Sequence, residues 1–244
     1  MQNKPLISII IPTLNEERVI GDSIGRIEKY LSIPHEIIIS DGKSKDKTVE
    51  LAQNAGAKVV EYNGTTRQTI AMGRNDGARI AQGEFLVFLD ADCTIINPDQ
   101  FFKKALDYFG SHKTVVAIAA KIRVSADSET WADRVVYIAL NAYFSFLNNI
   151  CGIGMAGGEF QMIRASAFKN VGGFNPTLVA SEDVDLLYRL SRIGKTRMPE
   201  LVVFHSGRRG HKVGWPRLIA SWIGNTFSMV LFKKAHSKEW EEVR

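Results

Sequence analysis

The 244-residue sequence predicts an α/β protein: a mixed but mostly parallel sheet flanked by helices, with an amphipathic helical extension at its C-terminal end. Three observations lead there. Short β-branched runs alternate with segments whose apolar residues recur at helical spacing, the pattern of parallel strands joined by right-handed crossovers. The run Glu84-Phe85-Leu86-Val87-Phe88-Leu89, bounded by Gly83, is apolar almost throughout, as a strand covered on both faces must be. Asp90 and Asp92 then stand where that strand ends. Like charges so placed repel unless a cation sits between them, and open α/β sheets bind ligands at the carboxyl ends of their strands.

Leu6 to Ile11 reads as the first strand, ended by Pro12, after which Thr13 or Asn15 can cap a helix carrying Val19, Ile20, Ile24, Ile27 and Leu31. Glu36 to Ser40 is a second strand and Asp41-Gly42 a turn; Asp46 then caps a helix through Leu51 that Gly56 closes. Lys58 to Tyr62 is a third strand, and a helix from Thr66 to Gln82 feeds the central strand. Asn97-Pro98 opens a helix bearing Phe101, Phe102, Leu106 and Phe109, since proline is tolerated in a first turn. Val115 to Val124 reads as one more strand. The aromatic-rich helix from Ser128 to Asn149, with Trp131, Val135, Tyr143, Phe144 and Leu147, is expected to be buried. Gly152, Gly154, Gly157 and Gly158 then crowd a stretch where the backbone must turn sharply or approach a ligand closely. Glu159 to Arg164 is a strand and Val171 to Phe174 a turn. Ser181 starts a helix that ends at Gly194, and Arg197 to Phe204 is a last strand running into His205. Beyond Gly214, Trp215, Leu218, Ile219, Trp222, Ile223 and Phe227 share a helical face, followed by Met229 to Phe232 and then Lys233 and Lys234.

Composition narrows the class. A net charge of +5 from 31 basic and 26 acidic residues suits a phosphorylated small molecule or an anionic membrane surface, and is too weak to argue for nucleic acid. Cys93 and Cys151 have no metal-type spacing, so a disulfide framework or zinc site is not expected and a reducing, cytoplasmic setting fits. No signal peptide or spanning apolar run is read from the chain. Gly42-Lys43-Ser44 mimics the end of a phosphate-binding P-loop, but Ile37 stands where its first glycine is required. The turn after the first strand, Pro12 to Glu16, lacks the glycines of a dinucleotide fold.

Several motifs in order carry a resemblance: Pro12-Thr13-Leu14-Asn15-Glu16, Ser40-Asp41-Gly42, Gly83-Glu84 leading into Asp90-Ala91-Asp92, Gly157-Gly158-Glu159, Gly172-Gly173-Phe174 and Glu182-Asp183. Over residues 6–207 the chain resembles the family 2 glycosyltransferases of the GT-A, nucleotide-diphospho-sugar transferase type. The resemblance extends to polyprenyl-phosphate sugar synthases and glycolipid-extending transferases. It implies a catalytic domain over 1–214, with a nucleotide-binding half to about 125 and a sugar and acceptor half over 126–214, and then the helical segment 215–244. It also implies a metal-dependent, inverting transfer of a hexosyl group from GDP-mannose or a UDP-sugar to an acceptor hydroxyl on a glycan, a lipid-linked saccharide or a polyprenyl phosphate.

Pro12, Thr13, Asn15, Glu16, Asp41, Arg74 and Asp90 are then nucleotide-binding candidates, with Asp41 accepting from the base ring and the Arg74 guanidinium suited to diphosphate. Asp92 is the candidate metal ligand for Mn²⁺ or Mg²⁺, and His205 the candidate second one. Asp183 resembles the general base. Glu182, Gly157, Gly158 and Glu159 fall to the sugar or acceptor, and Arg208 and Arg209 to a flexible basic loop closing over the diphosphate. Each residue has a plainer reading as well. Asp41 suits a turn, Arg74 an exposed helical position, Glu182-Asp183 a charged first turn and His205 a surface loop.

The C-terminal helix, with its basic flanks, reads either as an interfacial helix in peripheral contact with a membrane's cytoplasmic face or as a helix packed on the core or on a second copy. Two further functions stay open: a sugar nucleotidyltransferase, although its glycine-rich basic entry loop is missing, and a non-catalytic sugar-nucleotide-binding module.

Overall fold

A computed structural model describes residues 4–232. Lys233, Lys234 and the remainder of the predicted extension to 244 lie outside the described residues.

The elements in chain order are β1 (Ile7–Thr13), α1 (Ile20–Tyr30), β2 (His35–Asp41), α2 (Thr48–Asn54), β3 (Lys58–Glu61), α3 (Ile70–Ile80), β4 (Phe85–Leu89), α4 (Pro98–Ser111), β5 (Val115–Ala119), β6 (Lys121–Val124), α5 (Trp131–Phe146), β7 (Phe160–Arg164), α6 (Ala165–Asn170), α7 (Glu182–Ser191), β8 (Lys195–Arg197), β9 (Val202–His205), α8 (Arg208–Val213) and α9 (Trp215–Phe232). The main sheet has seven strands in the order β3-β2-β1-β4-β7-β5-β8. β3, β2, β1 and β4 run parallel, and β7 lies antiparallel to both β4 and β5.

Alternation along the strands divides the core into the two layers that cover the sheet. In β1, Ile7, Ile9 and Ile11 face a cluster that includes Ile24 of α1 and Phe102 of α4, while Ile10 faces Phe88, Phe168 of α6 and Leu186 of α7. All four isoleucines are fully buried, each stabilising the fold by roughly 1.5–3 kcal/mol. From β1 the chain builds outward through β2 and β3, then returns to place β4 on the other side of β1. That reversal opens a crevice at the carboxyl ends of β1 and β4, beside Thr13 and Asp90.

Some elements depart from the sequence expectation. The predicted strand 115–124 breaks at Ala120, so that β5 stays in the main sheet while β6 pairs with β9 in a separate two-stranded ribbon. The predicted strand 197–204 breaks likewise around Pro199, which has no N–H for a ladder, and Leu201 N–H donates to the Pro199 carbonyl. Neither Thr13 nor Asn15 caps α1, which has no side-chain cap. The 208–213 stretch is helix α8 rather than a loop.

α5 begins on a capping box between Thr130 and Asp133 and runs into a π-helical turn, Leu147–Cys151, that stops at Gly152 in a left-handed conformation. Its expected burial does not hold. Within α5 only Asp133 and Tyr137 are buried, and Trp131 is 80 % exposed. Among the described residues no helix is long and apolar enough to cross a membrane.

Candidate active site

The crevice is a cleft of ≈ 920 Å³ lined at its polar end by Pro12, Thr13, Glu16, Arg74, Asp90, Asp92, Gly157, Gly158, Glu159, Glu182, Asp183, His205, Arg208 and Arg209. Residues drawn from β1, α3, the end of β4, the glycine loop before β7, the start of α7 and the end of β9 therefore converge on one space.

Arg74 is the hub. It stands on α3, 2 % exposed, and donates through Nη1 to Glu182 Oε1 (2.9 Å) and through Nη2 to Asp90 Oδ1 (2.9 Å) and the Gly158 carbonyl (2.9 Å). Its guanidinium also lies 5.3 Å from the centre of the Phe174 ring. Burial works against its charge, but Asp90, Glu182 and Asp183 outweigh it and raise its pKa. Instead of an exposed arginine reaching outward for base or phosphate, the structure shows a buried cation that gathers the cleft's carboxylates. Gly158 is a glycine for the same reason. A β-carbon there would stand 2.8 Å from Arg74 Nη2 and 3.2 Å from Asp183 Oδ2. Gly158 lines the cleft, and the protein's own arginine also needs the absence of a β-carbon there.

One arginine does not compensate this much acid. Asp90 is pushed up by burial at the cleft floor and by Asp92, with Arg74 opposing. Burial and then Asp90 push Glu159 up to about 7, and its Oε2 has no hydrogen-bond partner. Asp183, at the first turn of α7, is raised well above the usual carboxylate range by burial and by Glu182, while Val184 N–H donates to its Oδ1 (2.8 Å). The residue before Glu182, Ser181, has φ 61°, a left-handed conformation rare for serine, and caps nothing with its side chain. Strained backbone thus leads directly into the acidic pair.

Asp92 Oδ2 accepts from Ser206 Oγ (2.6 Å) and lies 3.1 Å from Arg208 Nη2, which is also 3.5 Å from Glu16 Oε2. Burial disfavours the Arg208 charge, yet Asp92 and Glu16 raise its pKa overall. His205 packs edge-on against Tyr137, with ring centres 5.1 Å apart, and burial lowers its pKa although Asp92 opposes. Its Nε2 is buried without a hydrogen-bond partner, and its Nδ1 accepts from Gly207 N–H at 3.2 Å.

These donors suit a hard divalent ion. Among the described residues no three His, Cys, Asp or Glu side chains form a ready-made cage, and Mg²⁺-type ions characteristically take one or two carboxylates and complete their shell with substrate phosphates. Asp92 supplies such a carboxylate. His205 can join it through Nε2 only if the ring proton moves to Nδ1, at the cost of the hydrogen bond from Gly207.

Two expected residues are not brought to the cleft wall. Asp41 is fully buried and accepts from Thr13 Oγ1 (2.9 Å), Ser44 N (2.7 Å) and Ser44 Oγ (2.5 Å), so its carboxylate ties β1 to β2. Asn15, at φ 55°, accepts from Lys45 N (2.6 Å) and donates its own N–H to Ser44 Oγ (2.7 Å), stitching two loops together.

Sequence reasoning also missed contributors. Ser206 has no motif signal beyond standing next to His205. Asp133, fully buried, accepts from Thr130, from His211 Nε2 (2.7 Å) and from Trp215 Nε1 (2.9 Å), and so fixes α8 and the start of α9 against α5. Asn148, in the π turn, donates to the Phe144 and Met155 carbonyls and anchors the start of the glycine loop.

The sequence model of the family described as Glycosyl transferase family 2 matches residues 8–172. A "PGL/p-HBAD biosynthesis glycosyltransferase" of Mycobacterium bovis is 26 % identical over 180 residues, covering 70 % of this chain and 64 % of that protein. The chain thus spans just under two thirds of the length of this relative. Among solved structures, a mannosyltransferase from Pyrobaculum calidifontis in complex with GDP-Man and Mn²⁺ superposes with TM-score 0.70 at 18 % identity, over 93 % of this chain and 64 % of that one. Glucosyl-3-phosphoglycerate synthase from Mycobacterium tuberculosis, with Mn²⁺, UDP and glucosyl-3-phosphoglycerate, gives 0.65 at 20 % identity, over 94 % and 79 %. The fold is that of the GT-A enzymes.

Proposed function

The chain belongs to glycosyl transferase family 2, and on that premise we propose that it is a divalent-metal-dependent, inverting glycosyltransferase that moves a hexosyl group from a GDP- or UDP-linked sugar to an acceptor hydroxyl. One observation carries the reading. Asp90 and Asp92 at the end of β4 and Asp183 at the start of α7 line one cleft, with Arg74 and Gly158 between them. The solved GT-A neighbours with nucleotide and Mn²⁺ support the donor class.

Roles follow from placement. Thr13 and Glu16 line the side of the cleft where β1 ends, suited to a nucleoside, and Asp90, held by Arg74, to its ribose. Arg208 lies against Asp92 and Glu16, a mobile-length cation able to turn to the diphosphate. Asp92, with His205, would hold the ion, which when bound offsets the charge that builds on the leaving nucleoside diphosphate. Asp183 takes the proton of the acceptor hydroxyl. Burial and Glu182 raise its proton affinity, which makes its ionised form a stronger base than an ordinary aspartate. Inversion requires that the acceptor enter from the face of the sugar opposite the diphosphate, so in this reading the donor lies with that face toward Asp183.

The test combines binding and turnover. Thermal melts with GDP, UDP and their sugars, with and without Mn²⁺, should show a metal-linked rise with one nucleotide that Asp92→Ala abolishes. Asp183→Asn should keep that rise and lose transfer. A nucleotide rise with no metal linkage would remove the metal from the reading. Full transfer by Asp183→Asn would remove the base.

A further inference from the structure

The same cleft has a second half of opposite character. Leu140, Tyr143 and Phe144 of α5 line it together with Trp222, Ile223 and Phe227 of α9. Several of these are wet: Tyr143 is 51 %, Ile223 65 % and Phe227 63 % exposed. Apolar surface left facing solvent inside a binding cleft marks a site for an apolar ligand. A nucleotide sugar has little to offer it beyond the faces of its base, since its ribose, phosphates and hydroxyls are polar, and the polar end of the cleft already suits those.

The apolar half also adjoins the site of chemistry. Val184, the residue after Asp183, packs with Leu178 and Met155 in a small cluster that floors it. An acceptor with its hydroxyl at Asp183 therefore has its remaining length running over Val184 and Met155 into the trough between α5 and α9. Asp133 receives Trp215 Nε1 and His211 Nε2, and Trp215 stacks edge-on with Tyr137 (5.4 Å) and Trp222 (6.1 Å), so the first turns of α9 are anchored to α5 at one end of the trough.

We propose that this trough seats the hydrocarbon chain of the acceptor, so that the acceptor is a lipid-linked molecule with an alkyl or isoprenoid tail. This deepens the glycosyltransferase reading and rests on it. The exposed Lys212 and Arg217, at the junction of α8 and α9, add positive charge beside the trough that suits an anionic headgroup.

The test uses the full chain and single-chain phosphates below their aggregation concentration. Dodecyl phosphate brominated along its tail should quench the emission of Trp222 and Trp215, whereas methyl phosphate should not. Affinity should rise by up to roughly fourfold per added methylene, the factor equivalent to about 0.8 kcal/mol per buried CH₂. Ile223→Ser and Phe227→Ser, both at exposed positions that the fold does not need, should each weaken binding at least tenfold while leaving the nucleotide-dependent rise in melting temperature unchanged. Quenching that ignores chain length, or that survives both substitutions, overturns the proposal. Binding of anionic vesicles that monomeric dodecyl phosphate fails to compete, and that the same variants weaken, would assign the wall to a bilayer surface and also overturn it. Loss of every nucleotide-dependent melting shift would instead count against the glycosyltransferase reading, which the quenching experiment does not need.

Discussion

Glu36 and Glu159 are carboxylates set against the same sheet at opposite ends of its strands, and the protein treats them oppositely. Glu36, near the start of β2, accepts from Ser8 Oγ (2.5 Å), Gln82 N–H (2.7 Å) and Lys58 Nζ (2.7 Å), and Ser8 Oγ in turn accepts from Gly83 N–H (2.8 Å). Burial alone would raise its pKa, but Lys58, Ser8 and Gln82 bring it below the ordinary value. Glu159, just before β7, keeps an oxygen with no partner and titrates near 7. At the lower end of the sheet, donors match acceptors. At the upper end Asp90, Asp92, Glu159, Glu182 and Asp183 share Arg74 and Arg208. The first arrangement stabilises the fold. The second holds unbalanced negative charge where a cation and a reacting hydroxyl are to be received, the usual mark of a functional site.

That contrast can be broken at several points. Removing the base should cost activity and spare the fold: Asp183→Asn is expected to lower kcat about 10³-fold, within the range for a lost general base, with a melting temperature equal to or above wild type. A collapse in stability would place Asp183 with the structural carboxylates. Removing the shared cation should do the reverse. Arg74→Met leaves Glu182 and Asp90 without their partner, and urea unfolding should show a loss of about 3–5 kcal/mol that Glu182→Gln partly restores in the double variant.

At the lower end, Glu36→Ala should destabilise by roughly 2–3 kcal/mol, because Ser8, Gln82 N–H and Lys58 lose their acceptor, while kcat stays unchanged. The sign with pH follows from its lowered pKa. The part of its contribution that comes from its charge is complete above the ordinary glutamate range and fades as pH falls through the folded value, so the gap between wild type and variant should narrow in acid.

The smallest effect distinguishes the two ends most directly. A folded-state pKa near 7 against an ordinary 4.5 means that the folded protein binds the Glu159 proton more tightly than the unfolded chain does. Stability is therefore lost as pH rises from about 4.5 to about 7 and stays lost above it. Glu159→Gln in metal-free buffer should be more stable than wild type at pH 8 by about 1–2 kcal/mol and indistinguishable from it at pH 4, by denaturant midpoints. Equal midpoints at pH 8 would show that the two carboxylates do not differ in the way their surroundings indicate.

Much of the molecule was legible in the amino-acid order because it is encoded locally. The isoleucine run of β1, the apolar run of β4 with its two aspartates, and the glycines at 56 and 152 that close helices each report a backbone state through neighbours in sequence. The first half of the sheet followed, and with it the place of the cleft at the carboxyl ends of β1 and β4. Family motifs located most of its polar lining. Breaks between sheets were less visible: the division of 115–124 depends on which strand each half meets, and only Pro199 signalled the corresponding break near β9.

What the sequence left undecided was direction. Arg74 on a helix reads as a ligand for base or diphosphate or as an exposed helical residue; three acceptors brought from 16, 84 and 108 positions away hold it buried. Asp41 reads as a turn residue or a ligand for a base, and the fold adds a tie from Thr13 and Ser44 that neither reading contained. The aromatic residues of α5 read as core, and the fold leaves most of them facing water or the cleft. Residue type sets what a side chain can bond to and the local pattern sets which secondary structure carries it. Which partners it meets depends on contacts between segments far apart in the chain, and those decide here which carboxylates are satisfied and which are left to react.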